Sequence, residues 1–189
     1  MNISWSSSDH LNADVVDNAS GQVLFHINTP YKFFKKEITT MTDPSGQVVA
    51  EYEPRLGHDR VTYKGETHRV SDWLPRKGFF STYVAKSPVE VLGETKLTLV
   101  YVWKEKSGVK FKLVDENSDA VVATTHAPNL GIRTPRHNIV IDVDPEIVGF
   151  LDLIVISFVI CESERVARLR SNQSAASISS ASAVAAAAA

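Results

Sequence analysis

Between residues 11 and 143 apolar and polar positions alternate in short runs broken by turn residues, the period of strands rather than helices. Ala13–Asp17 and 22–28 read as one strand pair around Asn18-Ala-Ser-Gly21, and 37–41 and 47–53 as a second around Asp43-Pro-Ser-Gly46. Proline suits the second position of such a turn, and glycine accepts the positive φ that follows. Both turns end in Ser-Gly-Gln-Val, a recurrent hairpin solution too short to count as a repeat. Residues 61–63 and 67–70 bracket Lys64-Gly65-Glu66, and 79–85 form a further strand. In 96–103, Leu97, Leu99, Tyr101 and Trp103 share one face, while Val100 and Val102 sit on the other beside Thr98 and Lys104. A strand with apolar residues on both faces is expected at the centre of a sheet. Residues 109–114 and 120–126 pair around 115–119, and 138–143 is the last strand. About ten strands without intervening helices predict a barrel or sandwich, not βαβ units.

The period changes at Asp144. Asp144 caps a helix that opens on Pro145, where a missing N–H costs nothing, and Glu146 suits the positive end of the dipole. From Ile147 to Ile160 apolar residues cover nearly every side, which calls for burial all round. These fourteen positions reach only about 21 Å, short of a membrane crossing, and Asp152 interrupts the apolar run. The helix is therefore expected over about 145–169, inside the domain. After Arg170 the composition falls to Ser and Ala, too little to order a packed chain. The expected organisation is a flexible N-terminus at 1–10, a β domain at 11–170 and a disordered tail at 171–189.

Composition narrows the class. The chain has 189 residues, 43% apolar and 22% charged, with a formal charge of -2, which gives no global argument for nucleic acid. Cys161 is the single cysteine, so neither an intramolecular disulfide nor a cysteine-rich zinc site is available. No basic stretch followed by an apolar one opens the chain, so no signal peptide is read there. The expected location is cytoplasmic, with peripheral membrane contact as an option.

Short antiparallel strands followed by an all-apolar C-terminal helix form an unusual order. With Gly21-Gln-Val-Leu-Phe-His-Ile-Asn-Thr-Pro30, Val48-Val-Ala-Glu-Tyr52 and Leu151-Asp-Leu-Ile-Val-Ile-Ser-Phe-Val159, the chain resembles the fungal DUF6593-type family over residues 11–170. That family belongs to the tubby C-terminal-like superfamily, with the LURP-one-related and phospholipid-scramblase-like proteins. Asp152 matches the acid that precedes the family's late apolar run. The resemblance implies a roughly twelve-stranded antiparallel barrel around a buried helix and carries no catalytic residues. Tubby itself resembles a phosphoinositide-binding module, but its basic residues match no particular positions here.

The residues themselves offer several sites. Lys32, Lys35 and Lys36 lie among Tyr31, Phe33 and Phe34, a cationic-aromatic mix suited to a membrane surface. Lys104, Lys106, Lys110 and Lys112 crowd the hairpin at Ser107-Gly108 and would attract anionic headgroups. Solvated lysines on an edge also simply discourage aggregation. Asp152 inside an apolar helix needs a partner, either Arg or a backbone N–H, or else it lines a pocket. Asp142 and Asp144, two apart, can share a face toward a divalent ion, although Asp144 already caps the helix. Cys161 closes an apolar run and reads as packed rather than nucleophilic. His10, His26, His58, His68, His126 and His137 have no metal-ligand spacing. Gly57-His-Asp-Arg60 and 131–137 read as loops, and Trp73 as a core or rim aromatic. No cofactor or metal is expected. The leading expectation is a non-enzymatic scaffold or binding domain, with a peripheral anionic-lipid module as alternative and a small hydrolase or metal enzyme as second alternative. Expected partners are anionic headgroups or an unknown protein, with homodimerisation left open.

Overall fold

The computed structural model describes residues 1–30, 37–55, 57–75, 82–90, 96–106, 110–115, 118–126 and 138–187. Its strands are β1 (Asn2–Trp5), β2 (Ala13–Asp17), β3 (Val23–Asn28), β4 (Thr39–Thr42), β5 (Val48–Glu53), β6 (Arg60–Tyr63), β7 (Glu66–Arg69), β8 (Thr82–Glu90), β9 (Lys96–Lys106), β10 (Lys110–Asp115), β11 (Val121–His126) and β12 (Val140–Val143). A single turn of helix, α1 (Val70–Trp73), follows β7, and a 3₁₀ segment (Pro145–Phe150) leads into α2 (Leu151–Ala187).

All twelve strands join one antiparallel sheet in the order β7-β6-β5-β4-β3-β2-β1-β12-β11-β10-β9-β8. The sheet is open, which corrects the closed barrel: β7 and β8 are its two ends and do not pair with each other. β7 has four residues against nine in β8, and α1 begins at the very next residue, so β7 offers few ladder positions along the length of β8. Pro88 fits β8 because an edge strand can spare a ladder donor. β9, expected at the centre, lies one strand from the end. The residues expected as a flexible N-terminus instead hold the centre: β1 sits between β2 and β12, with Ile3 opposite Asp17 on one side and Ile141 on the other.

Turn chemistry sets the register. The β2–β3, β4–β5 and β10–β11 hairpins each carry a bulge near the turn, at Val15/Val16, Met41/Thr42 and Leu113/Val114. Each of the first two is closed by an aspartate that accepts from the turn backbone: Asp17 from Ala19 N at 3.1 Å, and Asp43 from Ser45 N and Gln47 N, both at 2.9 Å. Gly21 and Gly46 take positive φ, 73° and 86°, as such turns require. Asp119 occupies the same left-handed position, φ 56°, in the third. Bulges and the native strand twist curl the sheet instead of leaving it flat.

What it curls around is α2. Every residue from 153 to 161 is buried, including Ser157 and Cys161. Phe158 packs edge-on against Trp5 of β1 and Phe111 of β10, with ring centroids 5.1 and 6.2 Å away, and lies 6.1 Å from Trp103 of β9. Ser157 stays satisfied in this apolar setting because the Trp103 indole donates to its Oγ at 2.9 Å while the hydroxyl donates to Ile154 O at 3.2 Å. Past Cys161 the side chains become half-exposed, and 169–174 are exposed. The helix nonetheless runs to Ala187, past the end expected near 169 and into the segment expected as disordered tail. Alanine has the highest helix propensity, so an established helix extends through such a segment at little cost.

Candidate functional site

Because α2 fills the interior, the chemically varied concavities described lie where it leaves the sheet, one on each side. The first, about 610 Å³, is bounded by the 8–12 turn, Thr29, Glu37 and the outer face of α2 at Ser163, Val166, Ala167 and Arg170. Asp9 shapes the turn: Oδ1 accepts from Leu11 N at 3.0 Å and Oδ2 from Asn12 Nδ2 at 2.9 Å. Asn12 Oδ1 in turn accepts from Thr29 N at 2.9 Å. Burial pushes the Asp9 carboxyl up, but these hydrogen bonds and the nearby His10 and Arg170 together hold it below its usual value. His10 is 8% exposed, with Nε2 3.0 Å from Ser163 Oγ. Burial pulls its pKa below the ordinary 6.5; Glu162 and Asp9 oppose that shift, while Arg165 and Arg170 add to it.

The second cleft, about 420 Å³, is bounded by Arg55, His58, Asp59, Ser71 and Glu164 over a floor of Val70 and Leu74. Asp59 organises it, accepting from Tyr52 Oη at 3.0 Å and Arg55 N at 2.6 Å. Arg55 meanwhile pairs with Glu53 at 2.6 Å.

Most of the residues singled out in the sequence lie away from both clefts. Lys32, Lys35 and Lys36 lie outside the described residues, as do the Ser107-Gly108 turn and the 131–137 loop. In the β9–β10 ladder Lys104 stands opposite Lys112 and Lys106 opposite Lys110 in backbone register. Lys104 is exposed and pairs with Asp119 at 2.9 Å. Asp144 caps the 3₁₀ segment, its Oδ1 accepting from Glu146 N at 2.9 Å. Asp152 lies in the first turn of α2: Oδ1 accepts from Leu153 N at 2.8 Å, and Lys64 Nζ lies 3.2 Å from Oδ2. The Tyr63 hydroxyl also bonds Asp152, and burial together with that carboxylate pushes the phenol far above its usual range. Trp73, half-buried, packs on Tyr63 with centroids 5.6 Å apart. Asp142 is exposed on the outer face and is bonded by Asn2 and by His126 Nε2 at 2.6 Å. Its carboxyl is held low, first by Asn2 and then by His126. His26 pairs similarly with Asp14 at 2.7 Å. Among the described residues no three His, Cys, Asp or Glu side chains gather as a metal site, and no helix is long and apolar enough to cross a membrane.

The His10–Ser163 contact and the Asp59 cluster were not visible in sequence. They join residues 153 positions apart in one case, and in the other bring α2 against a turn by folding alone. The only local signal was His10 beside Asp9 in a polar run ahead of an alternating strand.

A curled, open antiparallel sheet wrapped on its own C-terminal helix, with polar clefts at the helix exit, defines a class of small β domain whose interior is already occupied. The chain belongs to the family described as "Family of unknown function (DUF6593)", which matches residues 8–167. An X-ray structure of a protein from Arabidopsis thaliana is similar at 18% identity and a TM-score of 0.44, over 83% of this chain and 90% of that one. No curated protein matches the chain.

Proposed function

We propose that this chain is a non-enzymatic binding domain whose ligand sits on the rim where α2 leaves the sheet. The observation that carries this reading is the burial of every residue from 153 to 161 inside the sheet: the fold spends its interior on its own helix and leaves only surface concavities for a guest. Membership of the tubby C-terminal-like superfamily belongs to the same proposal, supported by the order of strands followed by a buried helix; a fungal origin is supported by the family resemblance alone. Amide chemical-shift mapping of the full chain against mixtures of small metabolites tests it. Shifts gathered at Asp9, Asn12, Asp59 and Ser71 are expected; shifts only on the outer sheet face would overturn it.

The cross-strand pairs Lys104–Lys112 and Lys106–Lys110 favour a second reading, a cytoplasmic domain that docks peripherally on anionic lipid. Vesicles containing phosphatidylserine would then co-sediment the chain in a salt-sensitive manner. Reversing Lys104 and Lys112 to Glu would abolish it, and equal binding to neutral vesicles would sink the idea.

A further inference from the structure

The cleft between the 8–12 turn and α2 is lined by a largely buried histidine, one of whose ring nitrogens has no protein partner among the described residues. Ser163 Oγ donates to Val159 O at 2.8 Å, so its only proton is committed to the helix carbonyl, the shorter of its two contacts. The 3.0 Å contact to His10 then requires Nε2 to carry the hydrogen and donate. In a neutral imidazole this leaves Nδ1 as a bare acceptor, and among the described residues nothing donates to it. His10 is 8% exposed, and that remaining surface lines the cleft.

The rest of the wall states what kind of donor fits. Asp9 and Glu37 present carboxylates, Arg170 a guanidinium, and Asn12 and Thr29 neutral polar groups, while Leu11, Val166 and Ala167 supply apolar surface. A compact anion meets two carboxylates, and a compact cation meets Arg170. A neutral molecule carrying several hydroxyls satisfies both signs at once: its O–H groups donate to His10 and the acids, its oxygens accept from Arg170, and its C–H face lies on the apolar patch. At about 610 Å³ the cleft falls in the size range of small-molecule sites.

We infer that this cleft binds an uncharged polyhydroxylated ligand, a sugar or polyol, with one hydroxyl donating to His10 Nδ1. The inference rests on the reading of the rim as the binding surface. Long-range ¹⁵N–¹H correlation spectra of the full chain at pH 7 report the tautomer, and the same spectra followed through titrations with glucose, trehalose and mannitol report the contact. The expected result is an Nε2–H tautomer whose Nδ1 resonance moves on adding sugar or polyol but not on adding inorganic phosphate or ethylamine. His10→Phe and the exposed-site variant Arg170→Ala each weaken binding about tenfold, and Arg170→Ala does so with unchanged thermal stability. The three probes separate the sources: mannitol alone shifting the spectrum identifies an open-chain polyol, and glucose or trehalose a ring. An Nδ1–H tautomer, or shifts produced by phosphate or ethylamine only, overturns the inference and leaves the rim reading standing. If no neutral probe acts and the metabolite mixtures also leave both clefts unshifted, both fall together.

Discussion

Truncation of Phe158 to alanine tests the central feature of the fold, a sheet built around a helix. Phe158 is 2% exposed and its ring meets three aromatic side chains from three separate strands, Trp5, Trp103 and Phe111. A buried Phe→Ala change costs about 3–5 kcal/mol, the upper end applying where the surroundings cannot collapse into the space. Here the neighbours are held by strands on both sides of β12 in the sheet order, and each lost ring contact adds about 0.5–1.5 kcal/mol of geometry-specific attraction. The expected loss is about 4–5 kcal/mol, a large part of the roughly 5–15 kcal/mol that holds a domain folded. With an m-value of about 2 kcal/mol/M, the urea midpoint falls by about 2 M at unchanged slope. Phe158→Leu, which keeps most of the volume, should cost less than about 1.5 kcal/mol. Leu169→Ala, on the exposed stretch of the same helix, should stay within about 0.5 kcal/mol. Urea unfolding followed by tryptophan fluorescence measures all three. A Phe158→Ala loss no larger than that of Leu169→Ala would refute the enclosure of the helix.

Three further expectations follow from local chemistry. His10 is held below its ordinary pKa of 6.5 chiefly by burial, so the unfolded chain binds its proton first; stability is present above 6.5 and is lost as pH falls from there through the lower folded value. Unfolding midpoints between pH 7.5 and 5 should drop for the wild type and drop less for His10→Gln; parallel curves would count against it. Asp144→Ala removes the acceptor for Glu146 N and should cost about 1 kcal/mol in thermal unfolding, and no change would argue that the 3₁₀ segment does not need its cap. Gly46→Ala meets no atom within 4 Å yet sits at φ +86°, so a loss of about 1 kcal/mol comes from backbone conformation alone; a neutral result would mean that the turn relaxes to another type.

The strands from β2 to β7 were legible because their boundaries are written in local turn residues: Asp and Gly at 43 and 46, Lys64-Gly65 in the left-handed region. The buried helix was legible from an apolar run without a polar face. β1 was missed although Asn2-Ile-Ser-Trp5 alternates, because four residues before a serine run carry too little period to stand alone. Whether the sheet closes depends on how residues 66–69 meet 82–90 across intervening chain, and no local pattern encodes that distance. The clefts were illegible for the same reason. His10 and Ser163 are each ordinary in context, and their relation exists only after the helix is threaded past the 8–12 turn.

The pairing of β1 with β12 also dictates when this protein can fold during its own synthesis. Val143 N donates to Met1 O at 2.7 Å, so β1, the first of the described strands, waits for β12, the last of them, before it gains its second neighbour. At about 5–20 residues per second a ribosome takes roughly 7–30 s to supply that partner, and the helix that fills the sheet comes later still. Until then Ile3, Trp5 and Val15, buried in the finished fold, lack the neighbours that cover them, so the core cannot be completed before α2 has been made.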